Sequence, residues 1–206
     1  MKIEVTTQEL KELYMMIDFL YNADVTVPKQ VFKHPVATFV YKMDEFLDGN
    51  LTDIIHLSRL KSAKHIWWLP NIEVPKNIPI LKLDLKDSLA NVGSLLEELW
   101  EESTLFQLLD YGCLFNENKN WIIHFSIELQ VVVVGVFNQD INVESEISAK
   151  RYTKATFLSD FEEFPEDYEN KRAGVNESKR INSLITYPFI ENYFSKIEKI
   201  NKKEKL

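Results

Sequence analysis

The sequence predicts an α+β fold: an antiparallel sheet with a three-stranded meander at about 111–137, packed against several helices. Three observations carry this expectation. Segments of helical and of strand-like hydrophobic period follow one another in mixed order, without the regular strand–helix alternation of a doubly wound fold. The stretch 111–137 concentrates β-branched and aromatic residues around two turns. A chain of 206 residues, 45% hydrophobic and 27% charged, is ordinary for a globular domain and excludes wholesale disorder.

The first helix is announced by Thr6-Thr7-Gln8-Glu9, the Thr-x-x-Glu form of a capping box, in which each side chain satisfies the other residue's backbone N–H. Leu10, Leu13, Tyr14, Ile17, Leu20 and Tyr21 then recur at three- and four-residue steps, one apolar stripe that predicts a helix ending near Asn22. Pro28 and Pro35 bracket a loop, and 36–42 is a strand by its β-branched and aromatic content. After the break at Gly49-Asn50, Thr52 caps a short helix bearing Ile54, Ile55, Leu57, Leu60 and Ala63. Residues 65–69 form a buried strand stopped by Pro70, and 80–84 form another. Asp87 or Ser88 opens a longer helix with Leu89, Val92, Leu96, Leu99 and Trp100 inward and Glu97, Glu98, Glu101 and Glu102 on the other side.

In the meander, 111–115 leads into the turn 116–120. Trp121, Ile123, Phe125 and Ile127 then alternate with Ile122, His124, Ser126 and Glu128, which predicts a strand with one half-exposed, mostly polar face. Residues 131–137 are continuously apolar, as in a strand covered on both faces, and the turn before them near 127–130 holds neither glycine nor proline. The composition shifts at Asn138. Residues 1–137 are expected to form the α+β core, and 138–206 an acidic extension with a C-terminal helix, packed on the same domain. That helix has Pro188 near its first turn and Ile190, Tyr193, Phe194, Ile197 and Ile200 at helical spacing.

Thirty-two acids against 24 bases give a net charge of −8, opposed to the counterion displacement on which phosphate-backbone affinity rests, so no nucleic-acid partner is expected. Lys196, Lys199, Lys202, Lys203 and Lys205 solvate a helix end and offset its dipole. Cys113 is the single cysteine, which fits a reducing, cytoplasmic location. The N-terminus carries no apolar leader, and no apolar run nears the roughly 20 residues of a membrane span, so no membrane association is expected.

His34, His56, His65 and His124 show no zinc-ligand spacing, and 44–50 lacks the Asp-x-Asp-x-Asp-Gly order of a calcium loop; no metal or cofactor is expected. Five scattered glycines build no phosphate cradle, and no nucleophile elbow or Gly-x-Gly-x-x-Gly turn occurs. Two constellations keep an enzymatic alternative open. Cys113 and His124 fall opposite one another if the turn centres near Asn118, and a Cys–His pair can generate a thiolate. The carboxylates Glu97, Glu98, Glu101 and Glu102 form two i, i+4 pairs, but neighbours on one helix face do not oppose each other across a bond as glycosidase carboxyls do. A small-ligand module with its cavity under the meander is a further alternative.

The leading expectation is a non-enzymatic protein-binding protein of the inhibitor or immunity type, whose negative surface neutralises a basic partner. Its expected contact surface is Phe161, Glu162, Glu163, Glu166, Asp167 and Tyr168, where aromatic anchors interleave with carboxylates. Trp67, Trp68, Trp100 and Trp121 are expected in the core, and one of them left outside would mark a binding surface.

Overall fold

The computed structural model describes residues 2–50, 53–54, 58, 63–71, 78–86, 89–139, 147–148, 150–167 and 182–194; at 49–50, 89–93, 161–167 and 182–183 the description is of the backbone. Its centre is one seven-stranded sheet in which each neighbouring pair is antiparallel. The strands are β1 (Lys2–Val5), β2 (Ala37–Lys42), β3 (His65–Leu69), β4 (Ile78–Asp84), β5 (Cys113–Asn116), β6 (Trp121–Ser126) and β7 (Val131–Val136). Their order across the sheet is β1-β4-β3-β5-β6-β7-β2. The α+β class stands, and β5-β6-β7 is the three-stranded meander, set inside a wider sheet than the meander alone. The short β1, four residues beside β4, is an element the sequence reading does not contain.

Alternation along the strands feeds two cores. On one face Tyr41, Trp68, Leu114, Phe125 and Val134 pack with Phe46, Ile54, Leu99 and Leu108, which come from a helical turn at Phe46–Asn50, from residue 54, from α2 (Leu89–Glu101) and from α3 (Thr104–Leu109). Trp68 stacks on Phe125 with ring centroids 4.9 Å apart and donates its indole N–H to the Leu108 carbonyl at 3.0 Å. On the other face Val40, Ile80, Phe115, Ile122 and Val133 pack with Leu10 and Tyr14 of α1 (Thr7–Met15), Phe157 of α4 (Lys154–Asp167), and Phe189 and Tyr193 of α5 (Tyr187–Tyr193). Phe157 and Phe189 stack at 4.6 Å. Helices therefore cover both faces of the sheet.

This double cover corrects one expectation. All six residues of β6 are buried, including those expected on a half-exposed face, because β6 lies inside the sheet and both of its faces meet a layer. The Thr6–Glu9 capping box forms as expected. The helix behind it ends at Met15 rather than near Asn22, because Tyr21 bridges Phe32 and Asn22 donates to the Val31 carbonyl, pairings that require extended backbone. Ile17 and Tyr21 still reach the core through the intervening turns. Residues 53, 54 and 58 of the short helix expected after Thr52 are helical; Thr52, Ile55, Leu57, Leu60 and His56 lie outside the described residues.

Two glycines are required where they stand. A Cβ on Gly112 would lie 1.7 Å from the Leu108 carbonyl oxygen, so only glycine lets the chain pass from α3 straight into β5. A Cβ on Gly135 would meet the Phe32 ring at 2.8 Å, so that ring packs against bare backbone of β7.

Candidate functional site

The register pairs Cys113 with His124, as the turn position predicts. The neighbouring pair Gly112–Phe125 is hydrogen-bonded, with Phe125 N donating to the Gly112 carbonyl at 3.0 Å, so Cys113 and His124 occupy a non-hydrogen-bonded position where facing side chains come closest. Nδ1 of His124 shares a 2.7 Å hydrogen bond with the Tyr21 hydroxyl, and Tyr21 in turn stacks near Tyr14. Nε2 has no partner among the described residues.

The electrostatics run against a nucleophile here. Burial pushes the Cys113 thiol well above its ordinary value and pulls the His124 imidazole down to about 3. Both shifts favour the neutral forms, whereas an activated cysteine needs its thiol lowered by a cation, a metal or a helix terminus. The group orienting the imidazole is a phenol whose own pKa is raised well above 10 by burial. The arrangement is a packed, neutral thiol–imidazole–phenol cluster. Its chemistry is that of a hydrogen-bonded core element.

The glutamates at the end of α2 and just beyond it lie outside. Glu97, Glu98, Glu101 and Glu102 are exposed, and Glu102 is held by Lys2 of β1 through a 2.5 Å ion pair. No described cation pairs with the other three. They share the helix with Trp100, which was expected inward and is 56% exposed. The reason is helical geometry. Leu99 points into the core, fully buried, and Trp100 follows it by about 100° around the axis, which sets the indole one turn above the half-buried Leu96 at the layer's rim.

Ser103, in the left-handed conformation with φ 60°, reverses the chain between α2 and α3. That reversal lays Phe106, 41% exposed, against Trp100 with ring centroids 4.9 Å apart. Beside them opens a groove of about 410 Å³ lined by Leu47, Leu96, Glu97, Trp100, Glu101 and Leu105. The structure thus joins an exposed aromatic pair, an aliphatic trough and unneutralised carboxylates. Phe106, Leu47 and Leu105 were not singled out from sequence. A usable signal was the flanking of Trp100 by Glu97, Glu98, Glu101 and Glu102, which leaves too narrow an apolar arc for both Leu99 and Trp100 to face inward.

Of the expected contact surface, Phe161, Glu162, Glu163, Glu166 and Asp167 lie on the C-terminal half of α4, where only the backbone is described, and Tyr168 lies outside the described residues. A second hollow, about 140 Å³, is lined by Lys42, Glu45, Lys150, Arg151, Tyr152, Thr156 and Asp160. Two of its charges answer one another. Lys42 pairs with Asp160 at 2.5 Å, the Tyr152 hydroxyl donates to the same carboxylate at 2.8 Å, and the Asp160 carboxyl is held below its ordinary range, chiefly by the Lys42 hydrogen bond. Among the described residues no cluster of three or more His, Cys, Asp or Glu side chains could hold a metal ion, and no helix is long and apolar enough to cross a membrane. No protein-family model, curated protein or solved structure matches the chain.

Proposed function

We propose that this protein acts by binding another protein of basic character, as an inhibitor- or immunity-type molecule in the cytoplasm, with no chemistry of its own. The observation that carries this reading is the stacked Trp100–Phe106 pair, held at the surface beside an apolar groove and surrounded by glutamates. Large aromatic rings exposed within a polar rim are the usual anchors of protein interfaces, where tryptophan dominates the binding energy. The net charge of −8 supplies the long-range attraction that raises the encounter rate with a basic partner. The neutral, sealed state of Cys113 and His124 supports the same reading by leaving no activated nucleophile there.

The test is affinity capture from the native cell, followed by reconstitution with the purified partner. The expected result is a stoichiometric complex with a basic protein whose association rate falls steeply as salt rises across the physiological range. A partner that is acidic, or an association rate indifferent to salt, would count against the proposal. The aromatic–acidic stretch 161–168 of the sequence is the second contact proposed for the same function. Replacing Glu162, Glu163, Glu166 and Asp167 by lysine weakens capture if the partner reaches that stretch, and leaves it unchanged if the groove alone is used.

A further inference from the structure

Resting on the reading of a basic protein partner, we infer that the groove beside Trp100 seats one large apolar side chain of a partner helix, with two arginines or lysines one helical turn apart in the row beside it. The apolar wall is itself stepped at one turn: Leu96 and Trp100 stand four residues apart, and the buried Leu105 and half-buried Leu47 complete the lining. Glu97 and Glu101 repeat that step beside it and line the same groove. Carboxylates at this spacing repel one another, and among the described residues neither has a cation, whereas the adjacent Glu102 has Lys2. The unmet charge therefore runs parallel to the apolar trough and has the same period. An amphipathic helix presents that pattern, with apolar and cationic rows side by side, and helix-in-groove recognition works through such anchors. Arginine suits the rim best, since its guanidinium both meets a carboxylate in a fork and lies flat on an indole face.

The probe is an alanine-based helical peptide of roughly 16 residues with one central leucine and arginines three residues before it and one residue after it, a cationic row of one-turn spacing beside the apolar position, titrated calorimetrically into the full chain. Two control peptides replace the leucine by serine or both arginines by glutamate. Binding is expected for the first peptide and should weaken by about tenfold or more for each control, and likewise for Trp100→Ala and for the double variant Glu97→Lys/Glu101→Lys, with circular dichroism confirming that both variants remain folded. Equal binding of the glutamate peptide, undiminished binding to Trp100→Ala, or self-association of the chain that disappears in Trp100→Ala would overturn the inference. The two readings separate in one further comparison. If the native basic partner is captured equally well by the Trp100→Ala protein, this use of the groove fails while the proposed function stands. If no basic partner is captured at all, the proposed function fails whatever the peptide does.

Discussion

Two clusters on opposite sides of the same sheet invert what residue type alone would suggest. At the meander, Cys113, His124 and Tyr21 bring together a thiol, an imidazole and a phenol, the stuff of catalytic sites, and burial holds all three neutral. At the α2–α3 corner, a tryptophan and a phenylalanine, the stuff of cores, are exposed beside carboxylates and half-buried leucines. Environment decides the role in both places. A group that would titrate near neutrality in water loses its charge when desolvated, and a ring that would be core is left outside when the helix carries it past the apolar stripe. The two clusters are joined by one stretch of chain, since Phe106 sits on α3, the Leu108 carbonyl touches Gly112, and Cys113 opens β5.

The largest effect should therefore come from that joint. Gly112→Ala forces a methyl into the Leu108 carbonyl and should cost about 4 kcal/mol or more, enough to unfold the chain or to dislodge α3 from β5. Urea unfolding of this variant with a wild-type midpoint would show that the two regions are not mechanically linked.

Acid comes next. His124 has a folded pKa of about 3 against an ordinary 6.5, so as pH falls the unfolded chain takes up the proton first. Its contribution to stability is complete above about pH 6.5 and is lost on the way down towards pH 3, at about 1.4 kcal/mol per pH unit. Between pH 7 and pH 5 roughly 2 kcal/mol of stability should disappear, and that portion should be missing from the pH profile of His124→Gln. Identical profiles for the two proteins would mean that the imidazole is wetter than its burial implies.

Tyr21→Phe leaves Nδ1 of His124 without its hydrogen bond and should cost about 1.5 kcal/mol, read from the urea midpoint; no change would remove that bond from the stabilising set. Cys113→Ser places a hydroxyl in an apolar core and should cost about 1 kcal/mol while leaving partner capture intact. In the wild type, an aromatic disulfide reagent should react with Cys113 only on unfolding, and rapid labelling of the folded protein would contradict the sealed cluster. Trp100→Ala should change stability least, by less than about 0.5 kcal/mol, because its ring is mostly outside. A large stability loss there would make the indole a structural residue and weaken the contrast.

The sequence carried the local part of this architecture well. The capping box, the apolar run of β7 and the pairing of Cys113 with His124 are written in spacings of two to eleven residues, within reach of period and turn arguments. The partners of β1 and β2 are not, since these edge strands pair with β4 and β7 across long intervening stretches of chain (Lys2 with Leu81, Ala37 with Val136), and a four-residue strand of mixed charge has almost no periodic signal. The polar appearance of His124 and Ser126 misled for the same reason, because burial of β6 depends on helices distant in sequence. The candidate site was legible in its charges and illegible in its ring. Glu97, Glu98, Glu101 and Glu102 are plainly a surface group, whereas the exposure of Trp100 is set by tertiary placement of α2, and that of its companion Phe106 by the left-handed Ser103 between the helices.

The ends of the sheet have a consequence for how this molecule survives in a crowded solution. Along β2 the flanking chain bridges Tyr41 to Arg151, and the Tyr152 amide donates to the Val40 carbonyl at 2.8 Å. At the far end β1 is a brief strip bearing Lys2 and Glu4. The outer margin of β2 is thus engaged at Val40 and Tyr41 and that of β1 is short and charged, two devices that blunt edge-to-edge strand addition between copies of the native sheet.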